Sequence, residues 1–583
     1  MDVTRRRAIA FDRCFGIFRA GPARRGVVLC PSFGLEALTA RRAFADLADR
    51  LAARGLPNLV FDWDGTGDSL GSDRDPDRLA AWKRSLAAAV DALRRLADVD
   101  EVALVGLRLG ATLACEVASE RADVAALVAL APVVSGRMYV REQESLARLL
   151  RVRKDDEPAD SDEDGGFALA GFFTSAATAA DLKAVDLRRL ARPPAADLLL
   201  VARDGDAAVA GLAELWSAAG AGVATAPFEC FDAFLSDPTR SVVPDAVWTE
   251  VVDHLAAPAA PASPAPASPA PAAASPNAVS EREPLPAAAS LEAADWREEP
   301  VIFGPAPGLY GVLTLPRRPI AGPWVLLLDA GRNPHVGWGR QNVDLARALA
   351  ADGHAVLRFD QAGIGDSPAR PDGPAEVLYS MDAVADVRAA MDLAAGRGAT
   401  RFALVGGCSG AHLALHTALA DDRVSALVPI NLQRFVWSDG DSLEAAMRGE
   451  FRATSAYAGL IRRADTWRRL ATGEIKVAAI ALELMRRLAA RIAGAVRKAI
   501  VTDPARRWLA ALDRRGTRVL FVFGSDDGGR DEFAAHVGSE ARLPLRCPGA
   551  RVELIERADH NLGPRDARLR LVELVRGFLS AGR

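Results

Sequence analysis

The sequence predicts two α/β domains in tandem, each built on a mostly parallel sheet with helices on both faces. Three observations lead to this prediction. Short apolar runs alternate with helical patterns, two motifs recur about 300 residues apart, and an Ala/Pro/Ser-rich segment separates the halves. The length agrees, because 583 residues exceed the roughly 100–200 residues of one ordinary domain.

The segment 256–293 divides the chain. Its alternating Ala, Pro and Ser cannot bury a core, and its prolines favour an extended polyproline II conformation. We therefore expect a linker here, between a domain at 1–255 and a domain at 294–583. The two domains are expected to dock on one another.

Two motifs occur once in each half. Asp62–Ser69 resembles Asp360–Ser367 at an offset of 298 residues, and Gly106–Gly110 resembles Gly406–Gly410 at an offset of 300. Two motifs with almost the same offset indicate a tandem duplication.

Apolar runs of strand length predict the two sheets, because they alternate with helix-like stretches such as Val343–Ala351 and Ala383–Ala395. In the first half the predicted strands are Val27–Leu29, Asn58–Phe61, Val102–Val105, Val124–Leu130 and Asp197–Val201. In the second half they are Val325–Leu328, Ala355–Phe359, Phe402–Val405, Ala426–Ile430, Val519–Phe523 and Val552–Ile555.

Composition excludes several functional classes. With 72 Lys and Arg against 76 Asp and Glu, the net charge of −4 argues against general nucleic-acid binding. The six cysteines lack CxxC spacing, so neither a zinc site nor a disulfide framework is expected. No apolar run reaches the roughly 18 residues of a membrane span, and no signal peptide is evident. We expect the reducing cytoplasm.

The segment Gly406–Gly410 has the G-x-Nuc-x-G pattern of a nucleophile elbow, with a buried strand before it and a helix expected from Ala411. The central residue is Cys408, and a thiol at a helix N-terminus beside a histidine is a reactive nucleophile. One alternative makes Ser409 the reactive residue, although it stands one place late. Another makes Cys408 a small buried residue with no reactivity.

The other members of a triad should follow in the order acid, then histidine. Asp527, in preference to Asp526, lies at the usual distance beyond the strand Val519–Phe523. His560 follows the last strand and is the expected general base, whereas His412 on the elbow helix is a weaker alternative. Asp527 would orient the imidazole and stabilise its charged form.

The oxyanion hole is assigned to backbone amides. The amide of Ser409 follows the nucleophile, and Gly331 or Arg332 in the loop after Val325–Leu328 supplies the second donor. His335 in the same loop is a candidate pocket residue.

A helical insert at about 437–505 separates two of these strands. Its apolar and cationic positions recur at helical spacing. It could form a cap over an acyl pocket, lie on a membrane surface as an amphipathic helix, or pack on the body of the domain.

The first half has a degenerate elbow. Arg108 occupies the nucleophile position, and a guanidinium cannot attack a carbonyl. No histidine occurs at Cys230–Phe234, where the base should lie, so we predict that this domain is not a hydrolase. Arg108 could bind an anion in a pocket, or form an ion pair with Asp62, Asp204 or Asp206.

Both halves resemble α/β-hydrolases of the serine-aminopeptidase-like kind, and are similar to hydrolases encoded beside exosortase and exopolysaccharide systems. The motifs that carry this resemblance are Pro31–Gly34, Asp62–Ser69 and Gly106–Ala111, then Asp360–Ser367, Gly406–Ala411, Asn431–Trp437 and Ala558–Leu562. The resemblance implies two α/β-hydrolase folds. A cysteine at the elbow also resembles dienelactone hydrolases and polyhydroxyalkanoate synthases, which use it as an acyl acceptor.

The expected function is hydrolysis of an ester or thioester bond by Cys408, His560 and Asp527. The substrate would be a small acyl compound, free or bound to a carrier, and neither a metal nor an organic cofactor is implied. Two alternatives remain: acyl transfer through the same acyl-enzyme, and a non-catalytic binding or scaffold protein.

Overall fold

The computed structural model describes residues 6–152, 165–257, 290–374, 376–437, 441, 443, 503–538, 543 and 547–581. Most of the predicted linker (256–293) and nearly all of the predicted cap (437–505) lie outside the described residues. The chain forms two compact units. Unit 1 is mainly the chain up to Leu291, and unit 2 is mainly the chain from Glu292 onward.

Unit 1 is built on an eight-stranded sheet in the order β1-β2-β4-β3-β5-β6-β9-β10. Strand β2 pairs antiparallel with β1 and β4, and the remaining pairs are parallel. The strands of the first half are β1 (Arg6–Phe11), β2 (Cys14–Arg19), β3 (Arg25–Cys30), β4 (Asn58–Phe61), β5 (Glu101–Leu107), β6 (Val124–Leu130), β7 (Phe167–Leu169), β8 (Phe172–Thr174), β9 (Asp197–Ala202) and β10 (Gly222–Pro227). The α-helices are α1 (Gly34–Ala53), α2 (Arg78–Leu96), α3 (Leu109–Glu120), α4 (Gly136–Val152), α5 (Ala176–Ala184), α6 (Ala207–Ala218), α7 (Phe231–Phe234) and α8 (Asp245–Ala256).

Unit 2 repeats this plan with a nine-stranded sheet in the order β11-β12-β13-β15-β14-β16-β17-β18-β19. Strand β13 pairs antiparallel with β12 and β15, and the pairs from β15 to β19 are parallel. The strands are β11 (Leu291–Glu292), β12 (Trp296–Phe303), β13 (Leu309–Pro316), β14 (Trp324–Leu328), β15 (Val356–Phe359), β16 (Phe402–Gly407), β17 (Val424–Ile430), β18 (Arg518–Gly524) and β19 (Ala550–Ile555). The described α-helices are α9 (Gln341–Ala351), α10 (Ala383–Ala395), α11 (Ser409–Ala420), α12 (Pro504–Arg514), α13 (Gly529–His536) and α14 (Arg565–Ser580).

Helices cover both faces of the unit 2 sheet. On the central strand β16, Leu404 packs in a cluster with Met391 of α10. Its neighbour Val405 packs in the opposite cluster, with Leu349 of α9 and Phe578 of α14. Successive side chains of a strand point to opposite faces, so a strand buried on both faces is apolar throughout.

The predicted fold class is confirmed, and the predicted strands coincide with observed ones, except that β15 begins at Val356, one residue after the predicted start at Ala355. The antiparallel strands that open each unit escaped prediction. Strands β1 and β12 have the sequences RRAIAF and WREEPVIF, in which charged residues interrupt the apolar run. Strands at or next to the edge of a sheet, as β1 and β12 are, lack the continuous apolar signal of a central parallel strand.

Candidate active site

The elbow of unit 2 is a sharp turn between β16 and α11. Cys408 occupies it with φ of 50° and ψ of −113°, a conformation that side chains rarely adopt. Glycine is required on either side: a Cβ at Gly406 would lie 2.3 Å from the carbonyl oxygen of Gly410. A Cβ at Gly410 would lie 2.4 Å from the oxygen of Asp329. The turn therefore holds the Cys408 thiol at the carboxyl end of the sheet, at a helix N-terminus, where it is partly exposed.

Three predicted residues meet at this point. The Nδ1 atom of His560 lies 2.6 Å from Oδ2 of Asp527. The same imidazole is hydrogen-bonded to the side chain of Cys408. Asp527 is fully buried, and the His560 side chain keeps 12% of its surface exposed. The order thiol, imidazole, carboxylate is that of a nucleophile, a general base and the group that orients the base.

The charges at this site reinforce one another. Burial alone would lower the pKa of His560, but the negative charge of Cys408 and the hydrogen bond to Asp527 outweigh it and raise this pKa well above its ordinary value. The arrangement therefore favours a protonated imidazole beside Cys408.

The alternative residues lie elsewhere. The side chain of Asp526 contacts the hydroxyl of Ser525 at 3.3 Å. The Nδ1 atom of His412 lies 2.9 Å from the carbonyl oxygen of Arg434. Burial, followed by the charge of His416, lowers the pKa of His412 to about 4. Its imidazole is therefore neutral at pH 7.

Two side chains that sequence reasoning assigned no role support this arrangement. Gln433 donates from Nε2 to both carboxylate oxygens of Asp527, at 2.9 and 3.1 Å. Asn431 donates from Nδ2 to the carbonyl oxygen of His560 at 2.8 Å, and its Oδ1 accepts the amide of Gly524 at 2.8 Å. Asn431 thus ties the ends of β17 and β18 to the histidine loop. The sequence signals were their place directly after a buried strand and their position in the motif Asn431–Trp437, and neither signal assigned them a role.

The predicted oxyanion donors lie beside the elbow. Ser409 begins α11, so its amide is one of the unpaired N–H groups of a helix N-terminus. The amide of Gly331 donates to the Ser409 hydroxyl at 2.9 Å. A substrate oxygen would have to share or displace that hydroxyl. The guanidinium of Arg332 lies 3.2 Å from Glu376.

A cavity opens beside Cys408 and His560. Its volume is about 520 Å³, including space open to solvent. Its polar and aromatic lining includes Asp329, Asn333, Trp338, Gln341, Asn342 and Asn561.

His335 does not line this cavity, which corrects its expected place. The His335 side chain is fully buried, and its Nδ1 lies 2.9 Å from Oδ2 of Asp360. Its amide donates to Oδ1 of the same carboxylate at 2.6 Å. His335, Asp360 and Asp366 bring potential ligand atoms within 4.8 Å of one another, the spacing of a metal site. The carboxylate of Asp360 is nevertheless engaged in the turn itself, because it also accepts the Asp366 amide at 2.8 Å.

Comparison with known proteins gives the same fold for both halves. The family described as "Serine aminopeptidase, S33" matches residues 23–156, and the family described as "alpha/beta hydrolase fold" matches residues 323–564. The chain carries two α/β-hydrolase regions. The family matches support an enzyme of α/β-hydrolase type. None of the curated proteins matches this sequence.

Solved structures similar to parts of the chain include three hydrolases. Est1E from Butyrivibrio proteoclasticus, with ferulic acid bound, is 18% identical, covers 43% of this chain and 99% of its own, and has a TM-score of 0.33. A dienelactone hydrolase from Anabaena variabilis is 13% identical over 49% of this chain and 98% of its own, with a TM-score of 0.30. An esterase from Pyrococcus furiosus is 14% identical over 44% of this chain and 93% of its own, with a TM-score of 0.29. The fold assignment rests on the family matches and the sheet topology.

The α/β-hydrolase region of unit 1 has a different side chain at its elbow. Arg108 pairs with Glu36, Nε to Oε1 at 3.0 Å, and with Glu142, Nη2 to Oε2 at 2.8 Å. The expected partners Asp62, Asp204 and Asp206 were wrong. Asp62 instead accepts two hydrogen bonds from Arg41, at 3.0 and 3.2 Å. Arg108 is 5% exposed and its charge is already balanced, so no anion is needed to neutralise it.

No helix among the described residues is long and apolar enough to cross a membrane.

Proposed function

We propose that this chain hydrolyses an ester or thioester bond of a small acyl compound, using Cys408 as nucleophile, His560 as general base and Asp527 as the group that orients the base. The hydrogen-bonded series from the thiol through the imidazole to a buried carboxylate carries this proposal. We find no such series among the described residues of unit 1, which we propose is non-catalytic.

The first half-reaction forms an acyl-enzyme. The Cys408 thiolate attacks the acyl carbonyl carbon, a C–S bond forms, and the carbonyl π electrons move to oxygen. We assign the amides of Ser409 and Gly331 as the donors to that oxygen, which takes the place of the Ser409 hydroxyl at the Gly331 amide. When the tetrahedral intermediate collapses, the bond to the leaving group breaks, and His560 donates a proton to the departing alcohol or thiol.

The second half-reaction releases the acid. His560 takes a proton from water as the water oxygen attacks the thioester carbon. The C–S bond then breaks and the thiolate returns beside the imidazolium. Gln433 and Asp527 hold the imidazole in one orientation during both proton transfers.

The residues that line the cavity favour a polar substrate, and the unpaired cysteines favour a reducing compartment. Asn333, Gln341 and Asn561 line the cavity beside the thiol and can exchange hydrogen bonds with a substrate. All six cysteines are unpaired, and a thiol nucleophile requires reducing conditions, so we place the reaction in the cytoplasm. We also propose that the chain divides into one domain at 1–255 and a second at 294–583, with a linker between them.

Turnover of p-nitrophenyl esters and of acyl thioesters of several chain lengths tests this proposal. We expect hydrolysis by the full chain and its loss in Cys408→Ala. Adding an alcohol or an amine distinguishes acyl transfer, which would yield a new ester or amide in place of the free acid. No turnover with any substrate, or equal turnover in Cys408→Ala, would overturn the proposal and favour a binding or scaffold protein.

A further inference from the structure

Tyr379 lies against the nucleophile. Its Oη atom is 4.0 Å from Sγ of Cys408, within hydrogen-bonding distance for sulfur. Neither the elbow motif nor the acid and histidine positions predict a tyrosine here.

The ring of Tyr379 is held from two directions. It stacks on Trp437 with centroids 4.3 Å apart and an interplanar angle of 4°. Its edge also meets the His412 ring at 5.1 Å and 75°. Stacked and edge-to-face pairs of this kind fix a ring more tightly than apolar burial alone. The hydroxyl therefore has a defined position relative to the sulfur.

The backbone at Tyr379 is strained, with φ of 61° in a residue that is not glycine. Such a conformation costs free energy and persists only where the surroundings enforce it. Here the strained loop holds the Tyr379 hydroxyl beside the sulfur of Cys408.

The hydroxyl stays a donor. Burial, followed by the negative charge of Cys408, raises the pKa of Tyr379 well above its ordinary value. The phenol is therefore protonated at pH 7.

This inference rests on the function proposed above. We propose that the Tyr379 hydroxyl donates a hydrogen bond to the Cys408 thiolate, and that this bond stabilises the ion pair of Cys408 and His560 in the resting enzyme. A thiolate accepts more than one hydrogen bond, and charge-assisted bonds are the stronger class. In the acyl-enzyme the sulfur is an uncharged thioester, so this bond weakens. Tyr379 would therefore set the pH at which the nucleophile becomes available.

The test follows the alkylation of Cys408 by iodoacetamide against pH, resolved by peptide mass spectrometry. Tyr379→Phe keeps both ring contacts and removes only the hydroxyl. We expect the apparent pKa for Cys408 alkylation to rise by about one unit, a loss of up to about tenfold in rate below that pKa. The rate at high pH should be unchanged or slightly greater.

Two controls separate this effect from a folding defect. Tyr310→Phe removes a hydroxyl elsewhere in unit 2, where the Tyr310 ring meets His335 at 5.2 Å, and it should leave the profile unchanged. Cys230 is exposed in unit 1, so its alkylation profile in Tyr379→Phe serves as an internal reference. A changed Cys408 profile with an unchanged Cys230 profile supports the inference.

Overlapping profiles for the wild-type chain and Tyr379→Phe would overturn it, as would an equal shift in Tyr310→Phe. The proposed function fails separately, if ester turnover does not require Cys408. Overlapping profiles together with turnover that needs Cys408 would reject the role of Tyr379 alone.

Discussion

The two elbows of this chain have nearly the same backbone and opposite chemistry. Arg108 has φ of 52° and ψ of −120°, and Cys408 has φ of 50° and ψ of −113°. Each amide donates to the last residue of the neighbouring strand at 2.9 Å, Leu130 in unit 1 and Ile430 in unit 2. The strained turn is therefore retained whether or not its side chain can react. The elbow identifies the fold, and the groups around it decide the chemistry.

The surroundings differ in the same way. At the end of β6, Ala131 takes φ of 43°, and at the end of β17, Asn431 takes φ of 49°. Only Asn431 has a side chain that reaches the histidine loop. Two residues later, Val133 stands where Gln433 contacts Asp527 in unit 2. Among the described residues, Ala131 and Val133 of unit 1 therefore do not supply the side-chain amides that Asn431 and Gln433 supply in unit 2.

Substituting the side chains at the two elbows should have the largest effect on ester turnover. Cys408→Ala is expected to lower kcat/KM for a p-nitrophenyl ester by about 10⁴-fold. Adding Arg108→Cys to that variant should restore nothing, because no imidazole lies at the unit 1 elbow among the described residues. Recovered turnover in the double variant would show that unit 1 is a competent site. Arg108→Cys alone should retain wild-type kcat/KM.

Removing the charge of Arg108 should destabilise unit 1. Arg108→Met leaves the Glu36 side chain, which is 17% exposed, and Glu142, which is 42% exposed, without their cation. We expect a loss of about 3 kcal/mol in the free energy of unfolding, measured by urea denaturation. Ester turnover, measured without denaturant, should be unaffected. A variant as stable as the wild type would show that the ion pairs contribute nothing net.

Copying unit 1 into unit 2 at position 433 should have a smaller effect on catalysis. Gln433→Val removes the donor to Asp527 and should lower kcat by roughly 10- to 100-fold with little change in KM, because the imidazole loses its fixed orientation. Val133→Gln is the matched control in unit 1 and should change neither constant. An unchanged kcat in Gln433→Val would mean that Asp527 orients His560 unaided.

The residue four places beyond each elbow gives the smallest effect. Thr112 donates to the Val133 carbonyl at 2.9 Å, and His412 contacts the Arg434 carbonyl at 2.9 Å, so both tie the elbow helix to the following loop. Only His412 titrates, and its folded pKa of about 4 lies below the ordinary value of 6.5, chiefly through burial. The folded state therefore binds fewer protons, and stability is lost as the pH falls from 6.5 toward 4.

This linkage predicts a loss of about 1 kcal/mol between pH 7 and pH 5.5 from His412 alone. His412→Thr should remove that part of the acid sensitivity, measured as the difference between the two chains in urea denaturation at both pH values. Equal losses in both chains would contradict a neutral, buried His412.

Local sequence pattern was enough to predict the fold and the approach of Cys408, Asp527 and His560 to one another. Short segments determine the strands and the elbow, and the chain order of acid and histidine follows from the strand order. Contacts between distant segments were not predictable. Arg108 pairs with Glu142 from α4, and Tyr379 reaches Cys408 from a loop 29 residues away. His335 carried a plausible loop position but lies in the core against Asp360. Partner choice depends on packing, which no single segment encodes.

The most direct test is the intact mass of the full chain after rapid quenching with a p-nitrophenyl ester, followed by peptide mapping. We expect a mass increase of one acyl group, located on Cys408 and absent from Cys408→Ala. The adduct should persist longer in His560→Ala, since deacylation needs the base. Two results would contradict Cys408 as the nucleophile. One is an acyl group on Ser409 or on any residue of unit 1, and the other is turnover with no adduct on Cys408 in the wild-type chain or in His560→Ala.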